Sequence, residues 1–234
     1  MTTYHGGKYK LGKKIADIIY EHTKKINYSP KGYVEPFSGM LGVYRHIVKQ
    51  RAELNFIASD INRDVINMWK SLQTGWIPNP SAITREGYNK LKSSSPSPYR
   101  TMVGYHCSFG GIFYGSYSEF RSTPKKMANI SKKLVSLSDT MKHVKFECHP
   151  YNIRTYHDYI IYCDPPYQNT QQRYTVKFDS ENFWDWAREM SKNNIVFISE
   201  YTAPDDFVCI AEFKHSVNRG AKSTEKIFVY KRYA

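Results

Sequence analysis

The residues with the clearest chemical potential are four in a row, Asp164-Pro165-Pro166-Tyr167, directly after the apolar run Tyr159-Ile160-Ile161-Tyr162-Cys163. In an open α/β sheet, ligands gather at the carboxyl ends of strands, and this tetrapeptide would stand at such an end. The Asp164 carboxylate and the Pro165 carbonyl form a pair of acceptors. Such a pair suits one demanding reaction, alkylation of an amine on an aromatic ring. The lone pair of that nitrogen is delocalised into the ring, so the nitrogen is a poor nucleophile. Two acceptors can draw both amine hydrogens out of the conjugated geometry and aim the lone pair at the incoming carbon. Consecutive prolines stiffen the loop and remove N–H donors that would compete there. Tyr167 adds a ring able to stack on a flat substrate. The bland rival is a strand followed by a Pro-rich turn.

The elements that must hold this tetrapeptide are written as hydrophobic periodicity. Leu11, Ile15, Ile18, Ile19 and Ile26, with lysines between them, read as an amphipathic helix over about 9–26. Tyr33 to Phe37 reads as a buried strand ending in a turn, followed by a helix through Val43, Ile47 and Val48. Leu54 to Asp60 is a second strand with a carboxylate at its end, and a helix from near Asn62 carries Val65, Ile66, Met68, Trp69 and Leu72. Strand, helix, strand, helix is the opening of a doubly wound α/β sheet. From about 76 to 123, prolines, serines and a Gly-aromatic stretch argue for loops and short helices. A helix follows over about 124–142, then strands at 144–148 and 159–164, a helix over about 180–192 and a strand at 195–199. The chain ends in an antiparallel pair, Phe207 to Phe213 with Lys226 to Tyr230. An insertion, with edges near 65 and 143, thus interrupts a sheet domain.

Composition narrows the partners. With 41% hydrophobic and 24% charged residues the chain is an ordinary soluble globular protein, and no apolar stretch is long enough to cross a membrane. No signal-like N-terminus is present, so a cytosolic location is expected, the host cytosol if the chain is encoded by a phage or virus. Four dispersed cysteines without a CxxC pair argue against zinc and for buried, reduced thiols. His5, His106, His149 and His157 lack ligand spacing and read as structural or surface residues; no metal is expected. A formal charge of +13 favours a polyanion, because neutralised phosphates release counterions. Twenty tyrosines supply rings that can stack on unpaired bases.

With these motifs in hand, the sequence resembles the Dam-type, class alpha adenine-N6 DNA methyltransferases, particularly their compact phage-encoded members. Gly6-Gly7-Lys8 with Leu11 and Ile15 looks like the family's N-terminal motif, and Glu35-Pro36-Phe37-Ser38-Gly39-Met40-Leu41-Gly42 like its cofactor loop. Asp60 stands at the ribose-binding carboxylate and Asp164 to Tyr167 at the catalytic motif. Phe197 to Tyr201 and Thr224 to Tyr230 resemble later segments. The resemblance implies a Rossmann-like methyltransferase fold, with 1–64 and 144–234 as catalytic domain and 65–143 as a small helical target-recognition subdomain. It implies S-adenosyl-L-methionine held by Tyr4, Gly7, Lys8, Glu35, Pro36, Phe37, Gly39, Gly42, Asp60, Ile61, Tyr151 and Asp164. Catalysis falls to Asp164, Pro165 and Tyr167. Duplex DNA would meet Pro166, Tyr167, Tyr174, Phe109, Lys125 and Lys126, with Arg121, Lys132 and Lys133 available for phosphates and Phe178 or Tyr174 helping to hold the base. Physical sense agrees: Gly39 and Gly42 let the backbone approach a ligand, and Asp60 can accept from both ribose hydroxyls. Taken alone, Asp60 has a plain rival as the cap of the helix that follows.

One departure stands out. Related chains carry an Asp followed by an aromatic before the catalytic strand, where this chain has His149-Pro150-Tyr151. The reaction expected is transfer of a methyl group to the N6 amine of a flipped-out adenine, by a monomer or weak dimer. Absence of a Pro-Cys pair argues against carbon-5 cytosine methylation, which needs a thiolate. Three alternatives stay open from the sequence: an amine in RNA or on cytosine N4, a non-catalytic nucleic-acid binder on the same fold, and a methyltransferase for small molecules or proteins.

Overall fold

The computed structural model describes Tyr4 and residues 6–167, 178–216 and 222–234. Its sheet alternates side chains between two covered faces. Strands β1 (Gly32–Glu35), β2 (Asn55–Asp60), β3 (Val144–Cys148), β4 (Tyr159–Cys163), β5 (Ile195–Glu200), β6 (Phe207–Ser216) and β7 (Lys222–Tyr230) lie in the order β3-β2-β1-β4-β5-β7-β6. Strands β1 to β5 pair in parallel, and β7 runs antiparallel to both of its neighbours. The expected antiparallel C-terminal pairing is therefore present, with β7 inserted between β5 and β6.

Tyr33, Ile160, Tyr162, Ile195 and Phe197 pack toward one side, while Val34, Ile161, Cys163, Val196 and Ile198 pack toward the other. This is the period-two consequence of a strand buried on both faces. The first side receives α1 (Gly12–Lys25), α2 (Tyr44–Gln50) and α3 (Arg63–Gln73). The second is covered by α7 (Ser180–Met190), through Phe183, Trp184, Trp186, Ala187 and Met190.

The inserted segment forms α4 (Arg85–Lys92), α5 (Pro98–His106) and α6 (Pro124–Ser138), with two short 3-10 turns between α5 and α6. Its apolar residues, among them Tyr88, Met102, Val103, Met127 and Leu134, belong to the same core as the first side of the sheet. The expected lower edge at residue 65 falls inside α3, which packs on β2 and β3 as well as on α5 and α6. Ser97 and Thr84 cap α5 and α4 with their side chains, accepting from the N–H groups of Arg100 and Gly87. Among the described residues no helix is long and apolar enough to cross a membrane.

One expectation needs adjusting. Cys107 and Cys163 are buried thiols, but Cys148 and Cys209 are exposed. Cys148 ends edge strand β3, and Cys209 lies on edge strand β6, so among the described residues no further strand covers their outer sides. His106 is fully buried, and burial pushes its imidazole down to about 3; His5 and Tyr174 lie outside the described residues.

Candidate active site

The strand order reverses between β1 and β4, so their carboxyl ends open the crevice in which doubly wound sheets bind ligands. Three carboxylates converge there: Glu35 ends β1, Asp60 ends β2 and Asp164 follows β4.

Asp60 is buried and both of its oxygens are oriented by backbone donors. Gly39 N–H donates to Oδ2 at 2.9 Å and Asn62 N–H to Oδ1 at 2.8 Å. The capping alternative is not realised, since α3 is capped by Asn62, whose side chain accepts from Asp64 and Val65 N–H. Burial raises the Asp60 carboxyl above its ordinary value against those two hydrogen bonds. Ile61, next in the chain, is 57% exposed, an apolar surface beside the carboxylate.

The loop after β1 is tied down from three directions. Pro36 is buried in its turn. Ser38 N–H donates to the Ser59 carbonyl at 3.0 Å, and the Trp69 indole N–H donates to the Gly39 carbonyl at 2.8 Å. Gly39 has φ +44°, and a Cβ there would stand 3.1 Å from the Tyr4 ring. A side chain at this position would be strained and would crowd Tyr4. Tyr4 also contacts Tyr105 of α5, with ring centroids 4.9 Å apart, and its carbonyl accepts from Gly7 N–H. Gly42 lies against the Lys8 backbone, leaving 3.1 Å for an added Cβ. Phe37 stacks on Tyr151 at 5.3 Å and meets Phe178 edge-on at 5.9 Å, so Tyr151 joins an aromatic cluster that reaches α7.

Glu35 is buried and accepts from the Tyr33 hydroxyl at 2.7 Å. Burial pushes its carboxyl up to about 8, with the Tyr33 hydrogen bond working the other way and the charge of Asp164 adding to the rise.

Around Asp164 the geometry is tighter. The Lys8 ammonium donates to its Oδ1 at 2.5 Å, lies 3.5 Å from Glu225 Oε1 and sits 4.7 Å from the centre of the Tyr167 ring. Burial pushes Asp164 up to about 6 and Glu225 pushes the same way, while Lys8 and the Tyr167 hydroxyl oppose the rise. Burial works against the Lys8 charge, but the two carboxylates more than offset it and raise its pKa. Pro165 is buried, Pro166 half-buried, and the Tyr167 ring meets Tyr201 edge-on at 4.9 Å.

The structure thus brings together Lys8, Asp164 and Tyr167, and separately Asp60, Gly39 and Tyr4. Phe109, Lys125 and Lys126 stand on the insertion. Phe109 is 72% exposed, Lys125 is exposed, and the Lys126 ammonium lies 4.4 Å above the Phe120 ring. Glu225 was not among the expected site residues, although its segment was singled out. The signal was its place in the strand. Glu225, Ile227 and Val229 share one face of β7, so a carboxylate falls where the alternation asks for an apolar residue. Where the expected carboxylate before β4 is missing, buried Glu147 accepts from His149 at 2.9 Å and pairs with Arg154 at 2.6 Å.

A seven-stranded sheet of this order, carrying an Asp-Pro-Pro-Tyr turn at the switch point, is a Rossmann-like methyltransferase domain. The family model of the D12 class N6 adenine-specific DNA methyltransferases matches residues 4–210, and the chain belongs to that family. No curated protein sequence matches it. Solved structures similar to it include one from Pyrococcus horikoshii described as an RNA methyltransferase, at 7% identity and TM-score 0.46, covering 95% of this chain and 85% of that one. A methylase from Haemophilus influenzae aligns at 8% identity and TM-score 0.42, covering 92% and 88%. An rRNA methyltransferase from Streptomyces viridochromogenes aligns at 9% identity and TM-score 0.43, covering 94% and 85%.

Proposed function

We propose that this adenine-specific DNA methyltransferase uses Asp164 and the Pro165 carbonyl to orient the N6 amine of an adenine flipped out of the duplex. The observation that carries the reading is a half-buried carboxylate held by Lys8 through one oxygen, in a Pro-rich turn at the sheet's switch point. Flipping is required because the amine cannot be reached in the stack. Lys8 fixes Oδ1, so Oδ2 is the natural acceptor for one amine hydrogen and the Pro165 carbonyl for the other. Tyr167 presents its ring to the base, and catalysis is positioning and electrostatics rather than covalent chemistry.

The donor set fits S-adenosylmethionine, which when bound supplies the electrophilic methyl group. Asp60 keeps free lone pairs for ribose hydroxyls while two backbone N–H groups aim it. Gly39 leaves room beside Tyr4, and exposed Ile61 offers a flat apolar contact. Gly7, Lys8, Glu35, Pro36, Phe37, Gly42 and Tyr151 frame the same crevice. The segment between α3 and β3 is proposed as the target-recognition part, with Phe109, Pro166, Lys125 and Lys126 toward DNA.

The test is transfer of labelled methyl from S-adenosylmethionine to unmethylated duplex DNA by wild type and Asp164→Ala. Label recovered as N6-methyladenine, and lost from the variant while cofactor still binds, is the expected result. Label on another nucleoside, or transfer unchanged in the variant, would refute the assignment.

A further inference from the structure

We propose that Glu225 of β7 is a positioning residue of the methyl-transfer site, which brackets the Lys8 ammonium against Asp164 so that the acceptor carboxylate is fixed without leaving an unbalanced positive charge beside the target amine. The proposal rests on the reading of Asp164 as the amine's acceptor.

Three distant segments supply the cluster: Lys8 from the N-terminal stretch before α1, Asp164 from the end of β4, and Glu225 from the antiparallel strand beyond β5. The Lys8 ammonium stands 2.5 Å from Asp164 and 3.5 Å from Glu225, with side-chain exposures of only 7%, 18% and 7%. The Gly6 carbonyl, 3.3 Å away, accepts a further hydrogen bond from it. One cation thus faces two anions, and the cluster as a whole is negative.

The sign of that charge matters for the reaction. With the sulfonium bound, the nitrogen lone pair would form the N–C bond as the methyl–sulfur bond breaks and its electron pair stays on the departing thioether, and positive charge would grow on the amine until a proton leaves to water. A lone Lys8–Asp164 pair would present a neutralised acceptor and an ammonium close to that growing charge. A second carboxylate on the far side of Lys8 restores the favourable sign, and in a buried site such a charge acts at full reach. Core packing gives Glu225 no other reason to be there. Its face of β7 continues in fully buried Ile227 and Val229, where an apolar side chain would pack without the cost of burying a charge.

Among the described residues, the groups facing Asp164 are Lys8, Glu225, Tyr167, Tyr162, Glu35 and the Cys163 thiol. Of these, Glu225 raises the Asp164 pKa and Lys8 lowers it. Removing the Glu225 charge is therefore expected to make Asp164 more acidic, which checks that the charge reaches the carboxylate; the loss of transfer rate, and its dependence on Lys8, carries the functional part.

Two readouts on the full-length chain test this. Carbon-13 NMR of aspartate-labelled free protein, assigned with Asp164→Asn, follows the Asp164 carboxyl through pH. Single-turnover methyl transfer at saturating DNA and cofactor gives the rate of the bound complex. Glu225→Gln is expected to lower the Asp164 midpoint by roughly one pH unit and the transfer rate by about ten- to a hundredfold. In a Lys8→Met background the same change should cost less than about threefold, since no ammonium is left to offset. An unmoved midpoint, an unchanged rate, or an equal cost in both backgrounds would overturn the proposal. If Glu225→Gln alone does not fold, Lys8→Met with and without Glu225→Gln carries the test, since that pair removes the buried charge with its counter-charge. Wild type failing to methylate adenine would instead sink the reading of the site, and the NMR titration would still report on Glu225.

Discussion

At the scale of single residues, burial outweighs the neighbouring groups at the carboxylates of the sheet's switch point. Glu35 is the clearest case: its carboxyl rises from 4.5 to about 8 although the Tyr33 hydroxyl donates to it. A folded-state pKa above the unfolded one means that the folded protein binds the extra proton. The stability this confers is complete below about pH 4.5 and is lost as pH rises through about 8. Glu35→Gln, uncharged at every pH, removes that dependence. Urea midpoints of wild type and variant between pH 5 and pH 9 should therefore diverge, with wild type losing ground steadily. Parallel profiles would show that Glu35 is already ionised in the fold at neutral pH. The sequence made Glu35 legible as a cofactor-loop carboxylate but not as a neutral one. Its protonation depends on strands on either side of β1, and these meet only after folding. The inward face of Glu225 was legible from the alternation of β7, but the partners it meets there were not. Lys8 and Asp164 lie 156 positions apart, and periodicity reports which face a residue takes, not which strand becomes its neighbour.

At the scale of elements, α1 is docked through a contact between two backbones. A Cβ on Gly12, the first residue of α1, would stand 2.0 Å from the Gly42 carbonyl oxygen and 2.9 Å from its carbon. No rotamer change relieves a clash with a carbonyl, so Gly12→Ala must push α1 away from the loop that follows β1. Two effects of opposite sign compete. Alanine favours a helix by about 1 kcal/mol over glycine in a helix interior, and less at a first position. Overpacking costs about 1–3 kcal/mol. The second should win, lowering the urea midpoint and, because Lys8 lies just ahead of α1, slowing methyl transfer as well. A raised midpoint would show that the loop yields. Helix and strand existence was largely written in the sequence: the stripe on α3 and the apolar run of β4 stand where periodicity put them, while the cap of α3 is Asn62 rather than Asp60. What periodicity could not supply was the close seat of Gly12 on Gly42, or the placement of β7 between β5 and β6. Both depend on contacts between segments that are remote in the chain.

At the scale of the whole molecule, the +13 charge supplies an attraction to DNA that is independent of sequence. The insertion shows where part of it is concentrated. Helix α6 opens with Pro124, Lys125 and Lys126, carries no acidic residue in its first turn and lacks a side-chain cap. Two lysines at a helix N-terminus oppose the helix dipole, an arrangement that costs stability in isolation and becomes favourable when an anion lies there. On the proposed reading, a backbone phosphate of bound DNA would meet that need. Each phosphate contact contributes about −0.9 to the slope of log K against log salt. Lys125→Gln with Lys126→Gln should therefore flatten the slope by about 1.8, twice that increment, if both lysines meet phosphates. The measurement is equilibrium binding of the full chain to a duplex across a salt series. A parallel line displaced to weaker binding would mean that the two lysines shape the insertion without touching the backbone. An unchanged line would remove α6 from the DNA interface and leave the attraction to cations elsewhere on the molecule.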